Sequence, residues 1–113
     1  MISIDFNNKK FVLVENSEKG EVNSDTIFEY KQDGDLITAE YHGGTIRYGK
    51  IIAILKDKQL HMHYQCVTNS NELKAGKAMA AITLNPDNKI RLTLHWEWLD
   101  GSNEKGISEY IEC

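Results

Sequence analysis

The sequence predicts an all-β protein, an antiparallel up-and-down meander that closes into a barrel of about eight to nine strands. Apolar and polar residues alternate with a period of two along most of the chain, and short turn sequences separate the alternating segments. No window of helical length keeps its apolar positions at helical spacing without an interrupting Gly or turn cluster. Barrel closure is favoured because it removes the two exposed edges that an open sheet would present.

The length of 113 residues is typical of one domain, so we expect a single β-barrel domain over residues 1–113. The predicted strands cover residues 2–6, 11–14, 26–30, 36–41, 45–55, 60–67, 73–84, 90–98 and 106–112. The first two segments form either two strands or one bulged strand. Segment 90–98 has the longest unbroken alternation and is the clearest strand.

Glycines mark several of the predicted turns and irregularities. Asp33-Gly34 is the strongest hairpin signal, because both residues tolerate the positive φ of a type I′ turn, and Gly43-Gly44 predicts the next reversal. Gly49 predicts a bend or a bulge in the long strand over 45–55. Residues 77–81 favour helix by propensity, but Gly76 and the flanking residues favour a strand over 73–84.

Composition excludes several functional classes. The net charge of −4 and the pI near 5.5 argue against nucleic-acid binding and against an anionic membrane surface. The longest apolar run, residues 51–55, is much shorter than the roughly 20 residues of a spanning helix. The N-terminus lacks the pattern of a signal peptide, so we expect a cytoplasmic protein in which Cys66 and Cys113 are free thiols.

Aromatic residues on the predicted strands are the candidate ligand-binding residues. Leu92, Leu94, Trp96 and Trp98 share one face of their strand and must face the core or a cavity. Near a barrel mouth, Trp98 with tyrosines of other strands, Tyr48 among them, would line a pocket for a flat or apolar ligand. The predicted ligand-binding residues are Tyr30, Tyr41, Tyr64, Trp96 and Trp98.

Histidines on two strands are the weaker candidates for a metal site or for catalysis. His61 and His63 lie on one face of a strand, about 6.5 to 7 Å apart, a spacing that binds a transition metal if a third ligand such as His95 or Glu97 converges. If the barrel is polar inside, His95 and Glu97 become the only acid or base candidates. A solvated outer face explains the same pattern more simply. We therefore assign no metal, no cofactor and no catalytic residue.

Motifs for phosphate, dinucleotide or acyl-CoA binding are absent: the sequence has no phosphate-binding loop, no Gly-x-Ser-x-Gly elbow and no Arg/Gln-x-x-Gly-x-Gly/Ala loop. Residues 20–106 nevertheless resemble a family of small bacterial proteins labelled "N-acetylglutamate synthase". The resemblance is carried by segments 30–34 (YKQDG), 39–44 (AEYHGG) and 92–98 (LTLHWEW). The resemblance implies N-acetylglutamate synthase activity, but it identifies no catalytic residue in this chain.

Three functions are compatible with these observations. The first is a non-enzymatic barrel, similar in architecture to lipocalin-like and avidin-like (calycin-type) barrels, that binds a small, partly apolar molecule. The second is a structural or interaction protein in which an exposed strand pairs with a second copy to form a homodimer. The third is an enzyme, either metal-dependent through His61 and His63 or an acid/base catalyst through His95 and Glu97.

Overall fold

The computed structural model describes residues 4–16, 25–99, 101 and 104–113. Eight antiparallel strands follow one another around a closed barrel, and β1 pairs with β8 to complete it. This confirms the predicted all-β barrel. The strands are β1 (Lys9–Asn16), β2 (Ile27–Asp33), β3 (Leu36–Gly43), β4 (Ile46–Lys56), β5 (Gln59–Thr68), β6 (Leu73–Leu84), β7 (Ile90–Trp98) and β8 (Lys105–Glu112). None of the described residues forms a helix that could cross a bilayer.

Alternation along each strand decides which side chains fill the barrel. On β7, the residues from Ile90 to Trp98 are alternately buried and accessible, and the apolar set faces inward. His95 and Glu97 therefore lie on the outer wall, and the hypothesis of a polar interior is wrong. The inward row of β7 joins the same rows of the other strands in one continuous hydrophobic core.

One end of the barrel, which we call the plugged end, is covered by the segment before β1. The benzyl side chain of Phe6 is fully buried there, with ring centroids 6.0 Å from Phe11 and 5.5 Å from Tyr30. The backbone amide of Phe6 donates to the side-chain carbonyl of Gln32 at 2.8 Å. The predicted strand over 2–6 is therefore wrong for residues 4–6, which cross the barrel end, while residues 1–3 lie outside the described residues.

At the opposite end, the loop end, strands β1, β3, β5 and β7 finish and strands β2, β4, β6 and β8 begin. The plugged end carries the turns β2–β3, β4–β5 and β6–β7. The β2–β3 turn is centred on Gly34 and Asp35, one residue beyond the predicted pair, and Gly34 has a φ of +62°. Asp35 lacks the positive φ that a type I′ turn needs, so that predicted type is wrong.

A register shift near the start of β4 brings Ile46 into the core and leaves Tyr48 on the outer wall. The pairing of β4 with β5 is irregular between Ile46 and Tyr48, so the parity of inward residues changes there. Ile46 and Ile51 both face the core, whereas Tyr48 is 49% exposed. The expectation that Tyr48 lines the pocket is wrong, because Tyr48 shares the outward parity of Ile52 and Ile54. The irregularity predicted at Gly49 lies a few residues earlier, between Ile46 and Tyr48.

Two glycines provide space for two inward tyrosine rings. Gly49 pairs directly with Tyr41, and a Cβ at Gly49 would lie 2.2 Å from the Cζ atom of that ring. Gly76 pairs with Tyr64, and a Cβ there would lie 2.5 Å from its Cζ atom. Each ring therefore lies against the backbone of the neighbouring strand, as in other pairs of aromatic residues and glycines across strands. Gly76 is required by this packing, which explains a glycine inside strand β6.

The end of β8 is held by the carboxylate of Glu112. It accepts a hydrogen bond from the backbone amide of Ile90 at 3.0 Å and forms an ion pair with the ammonium of Lys9 at 3.1 Å. The hydrogen bond from Ile90, followed by the contact with Lys9, holds the pKa of Glu112 below its ordinary value. One side chain thus connects β8 with the first residue of β1 and the first residue of β7.

We expect Gly49→Ala to destabilise the protein by about 1–3 kcal/mol, the usual cost of overpacking a core, because the new methyl group would occupy the volume of the Tyr41 ring. Urea unfolding followed by circular dichroism measures the change. The control is the same substitution in a Tyr41→Ala background, where the ring is gone and the cost of Gly49→Ala should nearly vanish. An equal cost in both backgrounds would contradict the packing explanation.

Candidate functional site

Three of the predicted ligand-binding residues meet inside the barrel, in the half nearer the loop end. The Tyr64 and Trp98 rings are 5.7 Å apart in an edge-to-face arrangement, and the Trp96 and Trp98 rings are 6.0 Å apart. Both tryptophans are buried. Tyr64 also faces inward, yet it is only partly buried. Solvent therefore reaches this inward aromatic side chain.

Tyr41 extends the same aromatic surface to the other side of the barrel. Its ring stacks on Phe28 with centroids 4.7 Å apart, and Phe28 meets the edge of Tyr110 at 4.9 Å. The Tyr41 hydroxyl donates to the backbone carbonyl of Gln65 at 3.4 Å. Tyr41 therefore packs in the same half of the barrel, on aromatic partners that the sequence did not reveal.

Tyr30 does not belong to this group. It is buried at the plugged end, where its ring packs edge-on against Phe11 at 4.9 Å and against Phe6. Four of the five predicted ligand-binding residues therefore line the half of the barrel nearer the loop end, and the fifth closes its base. Tyr30 lies at the plugged end because it packs against Phe6, and alternation in β2 does not indicate that contact.

A buried polar contact lies between β7 and β8. The indole Nε1 of Trp96 donates to the Oγ atom of Ser108 at 2.7 Å, and the Ser108 hydroxyl also contacts the phenol of Tyr110. No buried side-chain nitrogen or oxygen lacks a partner among the residues the structure describes. Sequence reasoning missed Ser108 and Tyr110, although their alternation in the last predicted strand places them on one face. We call the set Tyr41, Tyr64, Trp96, Trp98, Ser108 and Tyr110 the lumen site.

The lumen site is polar without being charged. Burial raises the pKa of Tyr41, Tyr64 and Tyr110 well above the ordinary value, and the neighbouring phenols and the thiol of Cys66 add to the increase for Tyr41. These hydroxyls therefore remain protonated at neutral pH. Towards the loop end, the Lys74 ammonium lies 5.2 Å from the centroid of the Trp98 ring.

The candidate metal and acid/base residues lie on the outside of the barrel. His61, His63, His95 and Glu97 project from the outer faces of β5 and β7 and line one groove there. Within the described part of the chain, no three His, Cys, Asp or Glu side chains are grouped so that they could hold a metal ion. The outer wall thus separates these residues from the lumen site.

Comparison with known protein families agrees with this architecture. The model of the family described as avidin-like protein matches residues 4–113, nearly the whole chain. The chain belongs to the avidin-like family. No curated protein and no solved structure matches it. The avidin-like barrel predicted from the alternation is confirmed, and N-acetylglutamate synthase activity remains a prediction of the sequence resemblance alone.

We expect the avidin-like barrel to lose stability as the pH rises above about 10, the ordinary pKa of tyrosine. Burial raises the pKa of Tyr30, Tyr41, Tyr64 and Tyr110 in the folded state, so the unfolded chain releases these phenolic protons first. The stabilisation is complete below pH 10 and is lost above it. Urea unfolding at pH 8 to 11 measures the loss.

The matched variant for this titration is Tyr110→Phe, which removes one buried phenol and keeps the ring. Its stability should fall less steeply above pH 10, by up to about 1.4 kcal/mol per pH unit. Absorbance at 295 nm reports tyrosinate formation directly. Ionisation of all five tyrosines near pH 10, with the far-ultraviolet spectrum of the folded protein unchanged, would contradict the expectation.

Proposed function

We propose that this avidin-like barrel binds a small, partly apolar molecule in its lumen and releases it unchanged. The observation that carries the proposal is the group formed by Tyr64, Trp96 and Trp98, which face inward and contact one another near the loop end. Ligand sites are typically concave and mostly apolar, with a few polar groups that fix orientation. The lumen site has that composition of apolar surface with a few polar groups, and Tyr64 remains accessible to solvent.

The flat packing of two tyrosines supports a lumen that accepts a ligand. Because Gly49 and Gly76 have no side chain, the rings of Tyr41 and Tyr64 lie against the barrel wall instead of projecting across it. The two aromatic rings then line the inside of the wall on β4 and β6. A planar or aliphatic ligand body would pack on these aromatic side chains.

The polar groups of the lumen site favour a neutral hydrogen-bonding group on the ligand. They are phenol hydroxyls held protonated by burial, the hydroxyl of Ser108 and the indole of Trp96. A charged ligand group would lose its hydration here without an opposite charge to compensate. An anionic group is better placed at the loop end, near Lys74.

An enzymatic function has less support from the arrangement of residues. His95 and Glu97, the acid/base candidates, project from the outer wall, away from the lumen site. The proposed location of the protein is the cytoplasm. The free thiols of Cys66 and Cys113 are compatible with that reducing compartment.

Native mass spectrometry of untagged protein purified from its own host tests lumen binding. We expect a reproducible excess of a few hundred daltons over the denatured mass, in line with a ligand of ordinary small-molecule size. Biotin, a ligand of avidin-like proteins, is the first defined probe, and tryptophan fluorescence measures its binding. A bare chain mass in every preparation, together with unchanged fluorescence, would contradict the proposal.

Matched variants locate the ligand within the barrel. Trp98→Phe removes part of the aromatic surface and should weaken binding about three- to tenfold, the range expected for one aromatic contact. Tyr48→Phe is the control, because Tyr48 lies on the outer wall and its substitution should leave affinity unchanged. Equal affinities for the wild type and Trp98→Phe would place the ligand outside the lumen site.

Formation of a homodimer is the second candidate function. Pairing through an exposed strand edge is excluded for the described strands, because each has two neighbours in the closed barrel. The outer faces of β3 and β4 instead carry Leu36, Ile52 and Ile54, which are 41%, 57% and 48% exposed. Leu36 pairs with Ile54, so these side chains form one contiguous apolar patch. Such patches commonly mark contacts between proteins.

We expect sedimentation equilibrium of the wild type to show a monomer–dimer equilibrium through this patch. Ile52→Lys should shift the equilibrium towards the monomer by at least about tenfold, because each subunit would bury an unpaired ammonium at the contact. Val14→Lys, an outward substitution on β1, is the control. A wild-type protein that stays monomeric at high concentration would remove this candidate.

A further inference from the structure

An outer groove of about 690 Å³ crosses β5, β6, β7 and β8. The strand registers align its side chains in two parallel rows. One row contains His61, Met79, His95 and Ile107, and the other contains His63, Lys77, Glu97 and Lys105. One long side of the groove therefore carries two imidazoles and two apolar side chains. The other carries one imidazole and three charged side chains. The backbones of inward-facing residues form its floor.

Most polar side chains of the groove have no partner in the described part of the protein. The imidazoles of His61, His63 and His95 and the ammonium of Lys105 form no side-chain hydrogen bond or ion pair with any described residue. The one carboxylate, Glu97, lies 3.5 Å from the ammonium of Lys77. The hydrogen-bonding capacity of these groups is therefore available to a ligand.

The charge of the groove differs in sign from that of the whole chain. With the imidazoles neutral, as in the net charge of −4 for the chain, two ammonium groups of the groove face a single carboxylate. Met79 and Ile107 add apolar surface, since they are 42% and 50% exposed on the same outer wall. A cationic groove beside apolar side chains complements a ligand that is itself apolar and anionic.

We propose that the outer groove binds a small organic anion with an apolar body. The body would pack on Met79 and Ile107, and the anionic group would pair with Lys105 and accept hydrogen bonds from the imidazoles. The volume of the groove lies within the range of small-molecule sites. This site is separate from the lumen, and it stands whether or not the lumen binds a ligand.

Titration with naphthalene-1-sulfonate, followed by amide chemical shifts in ¹⁵N-labelled protein, tests the groove. We expect saturable shifts in the outward residues of β5 to β8, such as His61 and Lys105. The neutral analogue naphthalene-1-sulfonamide has nearly the same shape, and it should bind at least about threefold more weakly, as expected for the loss of one exposed charge contact. Equal affinity for the two compounds would overturn the proposal.

Two substitutions with the same charge change separate the groove from the rest of the surface. Lys105→Gln should weaken binding of the sulfonate about threefold. Lys10→Gln, on the exposed outer face of β1, should leave it unchanged. Unchanged affinity in Lys105→Gln, or shifts confined to the lumen site, would overturn the proposal. Groove shifts that appear on concentrating the protein without ligand would identify a second copy as the occupant and overturn it as well.

Discussion

Pairing between β1 and β8 is the interaction on which the rest of this structure depends. It gives each of the eight strands two hydrogen-bonded neighbours, so the sheet has an inside and an outside instead of two faces and two edges. Glu112 supports the closure, because its carboxylate reaches both Lys9 and the amide of Ile90. The lumen site and the Phe6 plug both require this closed wall.

The sequence alone predicted the eight observed strands and their order, because alternation and turns are local signals, although it also predicted a strand over residues 2–6. It was insufficient wherever parity or close approach depends on a neighbouring strand. Ile46 faces the core because of the shift in the β4–β5 pairing, which alternation along the rest of β4 does not indicate. Gly49 and Gly76 suggest a bulge and a weak strand, whereas each provides space for a tyrosine on the adjacent strand. Phe6 alternates like a strand residue and instead covers the barrel end.

Prediction of the candidate sites was limited by the same cause. Aromatic content identified Tyr41, Tyr64, Trp96 and Trp98, but it could not separate them from Tyr30, which the plug holds at the other end. Small polar residues such as Ser108 give no signal until their partner is known. The histidines were noticed as metal ligands, yet their rows with Lys105 and Ile107 exist only through the registers of β5 to β8.

The Phe6 plug also gives the molecule a polarity along its axis. Residues 4–6 cross the same end of the barrel at which β8 finishes, and the exposed Cys113 lies there, with its backbone amide donating to the carbonyl of Lys10. Attachment of the protein to a solid support through the Cys113 thiol would therefore hold the plugged end against the support and direct the loop end away from it.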